Sequence, residues 1–266
     1  MIPARIRNAA KICTRPELRQ WLEKRKLRSI PRYTRCTTQL LGYELEVSDA
    51  ASFQPMYDEI FEKEIYKFVS STETPLIIDG GANIGLSVLY FKRLYPHAKV
   101  IAFEPDKNIY ATLQKNIQNA GIADVRLENK ALWSSDTILN FFSEGADSGR
   151  LLGEAETLQA NPVDAVRLRE FLNQRVEFLK LDIEGAETEV IQDCHDLLVN
   201  VQNIFVEYHS FTNRPQTLTT IIQILSDAGF RLYLNTPFSI NPKPCYDRRE
   251  YHDMDMVANI FGYRVQ

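Results

Sequence analysis

From Leu76 onward, short apolar runs alternate with amphipathic segments of helix length: LIID (76–79), a helix from about 84 to 94, VIAFE (100–104), a helix from about 107 to 120, then VRLEN (125–129). This β-α-β-α-β order constrains the fold more than any other feature. Apolar runs that hide both faces and are joined by helices belong in an open, mostly parallel sheet with helices on both sides, an α/β architecture. The pattern resumes with EFLKLD (177–182), a helix from about 186 to 199, NIFVEYH (203–209), a helix from about 215 to 228, FRLYLN (230–235) and VANIFGYR (257–264). No helical pattern separates the last two runs, so an antiparallel C-terminal hairpin is expected.

Residues 134–174 between the two halves are less regular. SSDTILNFF reads as one more strand, and SEGADSGRLLGEAETLQANP as a polar, glycine-bearing lid or substrate loop. Ahead of the sheet, residues 4–28 mix Ile6, Ile12, Leu18, Trp21, Leu22 and Leu27 with basic residues, as one or two short helices with Pro16 at a break or a start. Thr37 to Val47 reads as a strand or hairpin around Gly42, after which Asp49 or Ser52 can cap a helix carrying Phe53, Met56, Tyr57, Ile60 and Phe61. The chain divides into an N-terminal helical and β extension, 1–70, and an α/β domain, 71–266.

Composition narrows the functional classes. A hydrophobic content of 44% in 266 residues supports a sizeable core. The apolar runs stop short of the roughly 18 residues a membrane span requires, and Met1 to Ile12 lacks the apolar block of a signal peptide, so a cytoplasmic location is expected. Cys13, Cys36, Cys194 and Cys245 form no CxxC pair, and His97, His195, His209 and His252 show no H-x-x-x-H spacing, which argues against thiolate and histidine metal cages. Residues 1–35 hold eleven Lys/Arg against Glu17 and Glu23, leaving about −13 on the rest of a chain whose net charge is −4. Such a basic arm reads either as a solvated helix or as a contact for an anionic surface or a neighbouring subunit in a homo-oligomer. Nucleic acid is not expected, because the arm lacks interleaved aromatics.

An open parallel sheet binds its ligand beyond the carboxyl ends of its strands, where IIDGGANIGLS (77–87) makes a turn. Gly81 lets backbone pass close to a ligand, Asn83 tolerates a positive φ, and Gly85 lets the following helix pack on the strand. The D-x-G-x-x-x-G spacing is not the G-x-G-x-x-G of a dinucleotide site, and Asp79 repels a pyrophosphate but attracts an ammonium. S-adenosyl-L-methionine carries such an ammonium beside its sulfonium. Glu104, 25 residues after Asp79, ends the second strand where ribose hydroxyls would arrive; its alternative role is a helix cap before Pro105 and Asp106. Adenine would lie between Pro105 and the segment Lys130-Ala131-Leu132-Trp133, whose backbone can bond the ring edge.

With these residues in place the chain resembles the FkbM family of S-adenosylmethionine-dependent methyltransferases. IIDGGANIGLS, VIAFEPD, KALW (130–133), EFLKLDIEGAE (177–187) and VEYHS (206–210) carry the resemblance, over about residues 75 to 235. It implies a Rossmann-like sheet of seven strands closed by an antiparallel strand. By position, Asp79, Gly81, Asn83 and Gly85 would shape the methionine end of the site, and Glu104 the ribose end. Where many relatives read T-L-D-D, this chain has Val166-Arg167-Leu168-Arg169-Glu170, so no role of that acidic pair transfers.

Methyl transfer to a hydroxyl also needs a proton acceptor. Asp182 ends the strand that opens the second half, and Glu207 and His209 end the next one, so all three are expected beside the Asp79 turn. His209, with an ordinary pKa of roughly 6.5, suits general base catalysis; Asp182 and Glu207 are its rivals. The acidic cluster Asp182, Glu184 and Glu207 offers an alternative role in holding Mg²⁺ or Ca²⁺, which is not favoured; Glu184 can equally cap the next helix. Asp147, Ser148 and Arg150 would form a hinged cover, Tyr208, Phe211 and Tyr246 would stack on an acceptor, and Glu64 and Tyr66 would close over the donor. The leading expectation is O-methylation of a small molecule or glycan, a sugar by family resemblance. Its rivals are a nicotinamide-dependent oxidoreductase and a non-catalytic scaffold in glycan assembly.

Overall fold

A computed structural model describes residues 16–143, 149–151, 161–246, 250–251 and 253–265. Its centre is a seven-stranded sheet of β3 (Leu76–Gly80), β4 (Lys99–Phe103), β5 (Val125–Glu128), β10 (Val176–Leu181), β11 (Val201–Phe211), β12 (Arg231–Asn235) and β13 (Met254–Tyr263). The order is β12-β13-β11-β10-β3-β4-β5; only β13 runs antiparallel to its neighbours β11 and β12. The expected parallel sheet and closing antiparallel strand are both present. β10 is buried at every position, which explains its unbroken apolar character apart from Glu177 and Lys180.

The connecting helices are α3 (Leu86–Leu94), α4 (Lys107–Asn119), α5 (Glu187–Asp193) and α6 (Leu218–Asp227). Asp106 caps α4 by accepting from the backbone N–H of Asn108 and Ile109. The helix expected over 186–199 is shorter. Arg169 Nη1 donates to the Asp193 carbonyl at 2.7 Å, taking the acceptor that a continuing α-turn would use, and the chain tightens into a 3₁₀ segment, His195–Asn200.

Residues 134–174 hold more structure than one strand. β6 (Ala131–Trp133), β7 (Thr137–Ser143), β8 (Gly149–Leu151) and β9 (Asn161–Arg167) form a second sheet of order β6-β9-β7-β8. Asp147 and Ser148 lie outside the described residues, and Arg150 falls on β8.

The extension carries α1 (Pro16–Arg28), the hairpin β1 (Cys36–Thr38) with β2 (Leu45–Val47), and α2 (Ala50–Tyr57), which Asp49 caps and a π-turn continues over Asp58–Glu62. Leu27, Leu45, Phe53 and Tyr57 share one apolar cluster with Ile77, Val88 and Phe91 of the sheet domain. Part of the basic arm docks on the body's own acidic residues: Lys24 pairs with Asp58 at 2.8 Å and with Glu62, and Arg32 with Asp49 at 3.2 Å. Among the described residues no helix is long and apolar enough to cross a membrane.

Candidate active site

Strand order reverses between β10 and β3, and the carboxyl ends of these neighbours meet there. Gly81 and Asn83 take left-handed conformations, φ 82° and 48°. A Cβ on Gly81 would stand 1.8 Å from the Asp182 carbonyl oxygen, so the turn lies directly on the end of β10. Glu104 braces it from β4: its carboxylate accepts from Asn83 N at 2.9 Å and Asp106 N at 2.8 Å. Glu104 is therefore not the helix cap; Asp106 is. Burial pushes the Glu104 carboxyl up to about 8, against the pull of those two N–H groups.

Beneath the turn stands Lys180, 2% exposed, with Nζ 3.2 Å from Asp79 Oδ1 and 3.3 Å from Asp182 Oδ2. The same ammonium donates to the Gly81 carbonyl at 2.8 Å and the Gly80 carbonyl at 3.2 Å. Asp79 also accepts from the Ser87 hydroxyl and is fully buried.

Asp182, just past the end of β10, comes together with Glu207 and His209, which lie within β11 and do not end it as expected, because pairing with β13 carries that strand on to Phe211. Burial alone would raise the Asp182 carboxyl, but Lys180, His209 and a hydrogen bond with Glu207 together outweigh it and hold Asp182 below the usual range. Glu207, which shares a hydrogen bond with Asp182, is pushed well up by burial and by Asp182's charge. Asp182 and Glu207 thus titrate as a coupled pair, with Glu207 the member that burial and its neighbour's charge make easier to protonate. His209 Nδ1 is 3.1 Å from Glu187 Oε1, and Nε2 is 3.6 Å from Glu184 and 3.8 Å from Glu207. Burial would lower its pKa, yet Glu184, Glu187 and Glu207 together hold it well above 6.5. Glu187 further accepts from Gly185 N at 3.0 Å and Ile183 N at 3.2 Å, pinning the loop after β10. Asp182, Glu207 and His209 each bring an atom with lone pairs within 4.8 Å of the others.

These groups open onto one cavity of about 680 Å³, in the range of small-molecule sites. Gly81, Asn83, Glu104, Pro105, Ala131 and Leu132 line it on the β3–β4 side, and Asp182, Glu184, Glu207 and His209 on the β10–β11 side. Met56, Glu59 and Ile60 of the extension and Phe238, Ile240 and Tyr251 of the β12–β13 connection complete it.

The profile of the methyltransferase FkbM domain matches residues 79–232, which hold every element of this floor. The chain belongs to the FkbM methyltransferase family. It is similar to methyltransferase sdnD of Sordaria araneosa, 32% identical over 215 residues, covering 66% of this chain and 82% of that protein. It is also similar to the 2-O-methyltransferase NoeI of Sinorhizobium fredii, 24% identical over 155 residues, covering 50% of this chain and 63% of that one. The solved methyltransferase FkbM of Methylobacillus flagellatus shares the fold at a TM-score of 0.50 and 14% identity, covering 80% of this chain and 52% of that chain.

The chain is thus an S-adenosylmethionine-dependent methyltransferase, and the oxidoreductase and scaffold readings fall away. Several expected roles change inside it. Asp79 does not line the cavity but is neutralised by Lys180, so the methyltransferase does not present it as an open seat for an ammonium. Gly85 (φ 96°) also sits beneath the turn, where a Cβ would meet Leu113 at 2.7 Å. The glutamates around His209 favour its protonated form, which works against a role as base. Glu184 caps no helix; it faces His209. Of the outlying candidates, Tyr66 is buried and lines the cavity, whereas Glu64 pairs with Lys67 at the surface. The Tyr208 hydroxyl accepts from Thr217 N, Phe211 packs on Gly185, and Tyr246 is exposed away from the cavity. In the segment that departs from the family pattern, Arg167 pairs with Asp193 on α5 and Arg169 with Asp196 just after it. Lys180 and Glu187 were missed, although a lysine inside an apolar strand was a visible signal.

Proposed function

We propose that this methyltransferase binds S-adenosyl-L-methionine over the Gly81–Glu104 side of the cavity and methylates a hydroxyl of a small molecule or glycan. The observation that carries the reading is the Asp182 carboxyl group, 3.3 Å from Lys180 Nζ and facing the cavity that the Gly81 turn also lines. The residues fit the donor: the Gly81 turn leaves backbone bare of a Cβ, and the buried Glu104 carboxylate keeps lone pairs for ribose hydroxyls. When bound, the donor supplies an electrophilic methyl carbon on a sulfonium.

This chain's part is to hold an acceptor oxygen about 3 Å from that carbon and to take its proton. Asp182 receives the proton. Glu207 shares a hydrogen bond with Asp182, and His209, set between Glu184 and Glu187, keeps the loop of residues 182–187 against β11. Oxygen as the accepting atom is supported by the name of the Sinorhizobium relative; a sugar as its bearer rests on family likeness alone.

Calorimetric titration of S-adenosylmethionine and S-adenosylhomocysteine into folded protein is expected to show one site for each. Absence of binding by both would sink the proposal. With a screened alcohol acceptor, Asp182→Asn should keep donor affinity and lose about 10²–10⁴-fold in turnover, while full activity in EDTA is expected of the wild type.

A further inference from the structure

The walls beyond the carboxyl cluster differ in chemistry from its floor. β13 runs antiparallel to β11 in a register that sets Val257 beside His209 and Met254 beside Phe211. Val257, Met254 and Phe211 form a small apolar cluster of their own, joined by Ile240 from the β12–β13 connection. Phe238 and Tyr251 stand edge to face at 6.0 Å above it, 48% and 50% exposed, and both line the cavity. Across from them α2 and its π-turn contribute Met56 and Ile60. Aromatic rings left half in water on a cavity wall gain by covering when an apolar body enters. A free sugar would instead call for a wall of amide, hydroxyl and carboxylate partners. Among the described residues lining the cavity on this side, the polar ones are Arg32, Ser52, Glu59, Ser239 and Glu250; Arg32, Ser239 and Glu250 are solvent-exposed, and Arg32 is already paired with Asp49.

We infer that the acceptor hydroxyl is carried on an apolar body, which lies in the chamber of Val257, Met254, Ile240, Phe238, Tyr251 and Met56 while the hydroxyl reaches Asp182. This narrows the acceptor class within the methyl-transfer reading above and rests on it. It distinguishes an alcohol with a hydrophobic frame, including a glycoside of one, from an unadorned sugar or a polysaccharide.

The test is a calorimetric series of methyl, butyl, hexyl and octyl β-D-glucosides, each below its micelle concentration, with and without saturating S-adenosylhomocysteine. Affinity is expected to climb with chain length, by up to about fourfold for each methylene that is buried. A flat series, or no binding of any member, would overturn the inference. Phe238→Ser and Ile240→Asn should flatten the climb and leave S-adenosylhomocysteine affinity unchanged; a climb that persists in both variants puts the chain elsewhere and equally overturns it. Failure of S-adenosylhomocysteine to bind strikes at the methyl-transfer reading instead, and the series without it still reports on the chamber.

Discussion

The Lys180 ammonium lies 3.3 Å from the Asp182 carboxylate while donating to the Gly81 carbonyl at 2.8 Å, so one buried cation ties the turn after β3 to the end of β10. Its partner on the other side is Asp79, fully buried.

Lys180→Met is expected to strand two carboxylates, one fully buried, without a counter-charge, at a cost of about 3–5 kcal/mol in urea unfolding. Asp182 would lose the interaction that depresses its pKa. In the fraction that folds, the acid limb of the pH–rate profile should move to higher pH; an unmoved limb would show that Lys180 does not set the charge of Asp182.

His209 has a folded pKa raised well above its ordinary value by three glutamates. Stability from that shift is fully present below the unfolded pKa of about 6.5 and is lost as pH rises through the folded value. Wild type should therefore lead His209→Gln by most near pH 6, and the lead should shrink in the alkaline range. Imidazole ¹⁵N shifts at pH 7 should report a doubly protonated ring.

Glu104, with a folded pKa of about 8 against about 4.3 unfolded, gives the same sign by a different route. Its stabilising share is present below the unfolded value and is lost as pH rises toward 8, where the buried carboxylate must ionise. The stability difference between wild type and Glu104→Gln should move against wild type across that window. If ribose hydroxyls donate to this carboxylate, donor binding favours its ionised form; calorimetry at pH 7 in buffers of different ionisation enthalpy should then detect proton release, which Glu104→Gln abolishes.

Gly81→Ala places a methyl 1.8 Å from the Asp182 carbonyl oxygen at a φ of 82°. Overlap and strain together should cost more than about 3 kcal/mol. Gly42→Ala, also at positive φ but with nothing within 4 Å, should cost only the strain, and comparing the two melting curves separates the terms.

The floor of the site was legible because its residues sit at fixed distances from strand ends. Gly81, Asn83, Glu104 and Asp182 each follow a run that the apolar pattern marks, and a parallel sheet aligns such ends at one edge. The side sheet was less so: β6 and β9 are parallel partners about thirty residues apart, and short half-exposed strands carry little periodicity. Nor does any pattern in residues 50–60 announce that Met56 and Ile60 line the same cavity as Tyr251.

Sequence alone determined the strand order's raw material, the turn at Gly81 and the family, because period and spacing are local and survive in one dimension. Only the tertiary structure decided the charges. Asp79 and His209 read as an open anion and a free base; folding set Lys180 beside the first, making it a buried, paired brace, and three glutamates around the second, favouring its protonated form. A side chain's protonation belongs to its neighbours and its burial, and neither is adjacent in the chain.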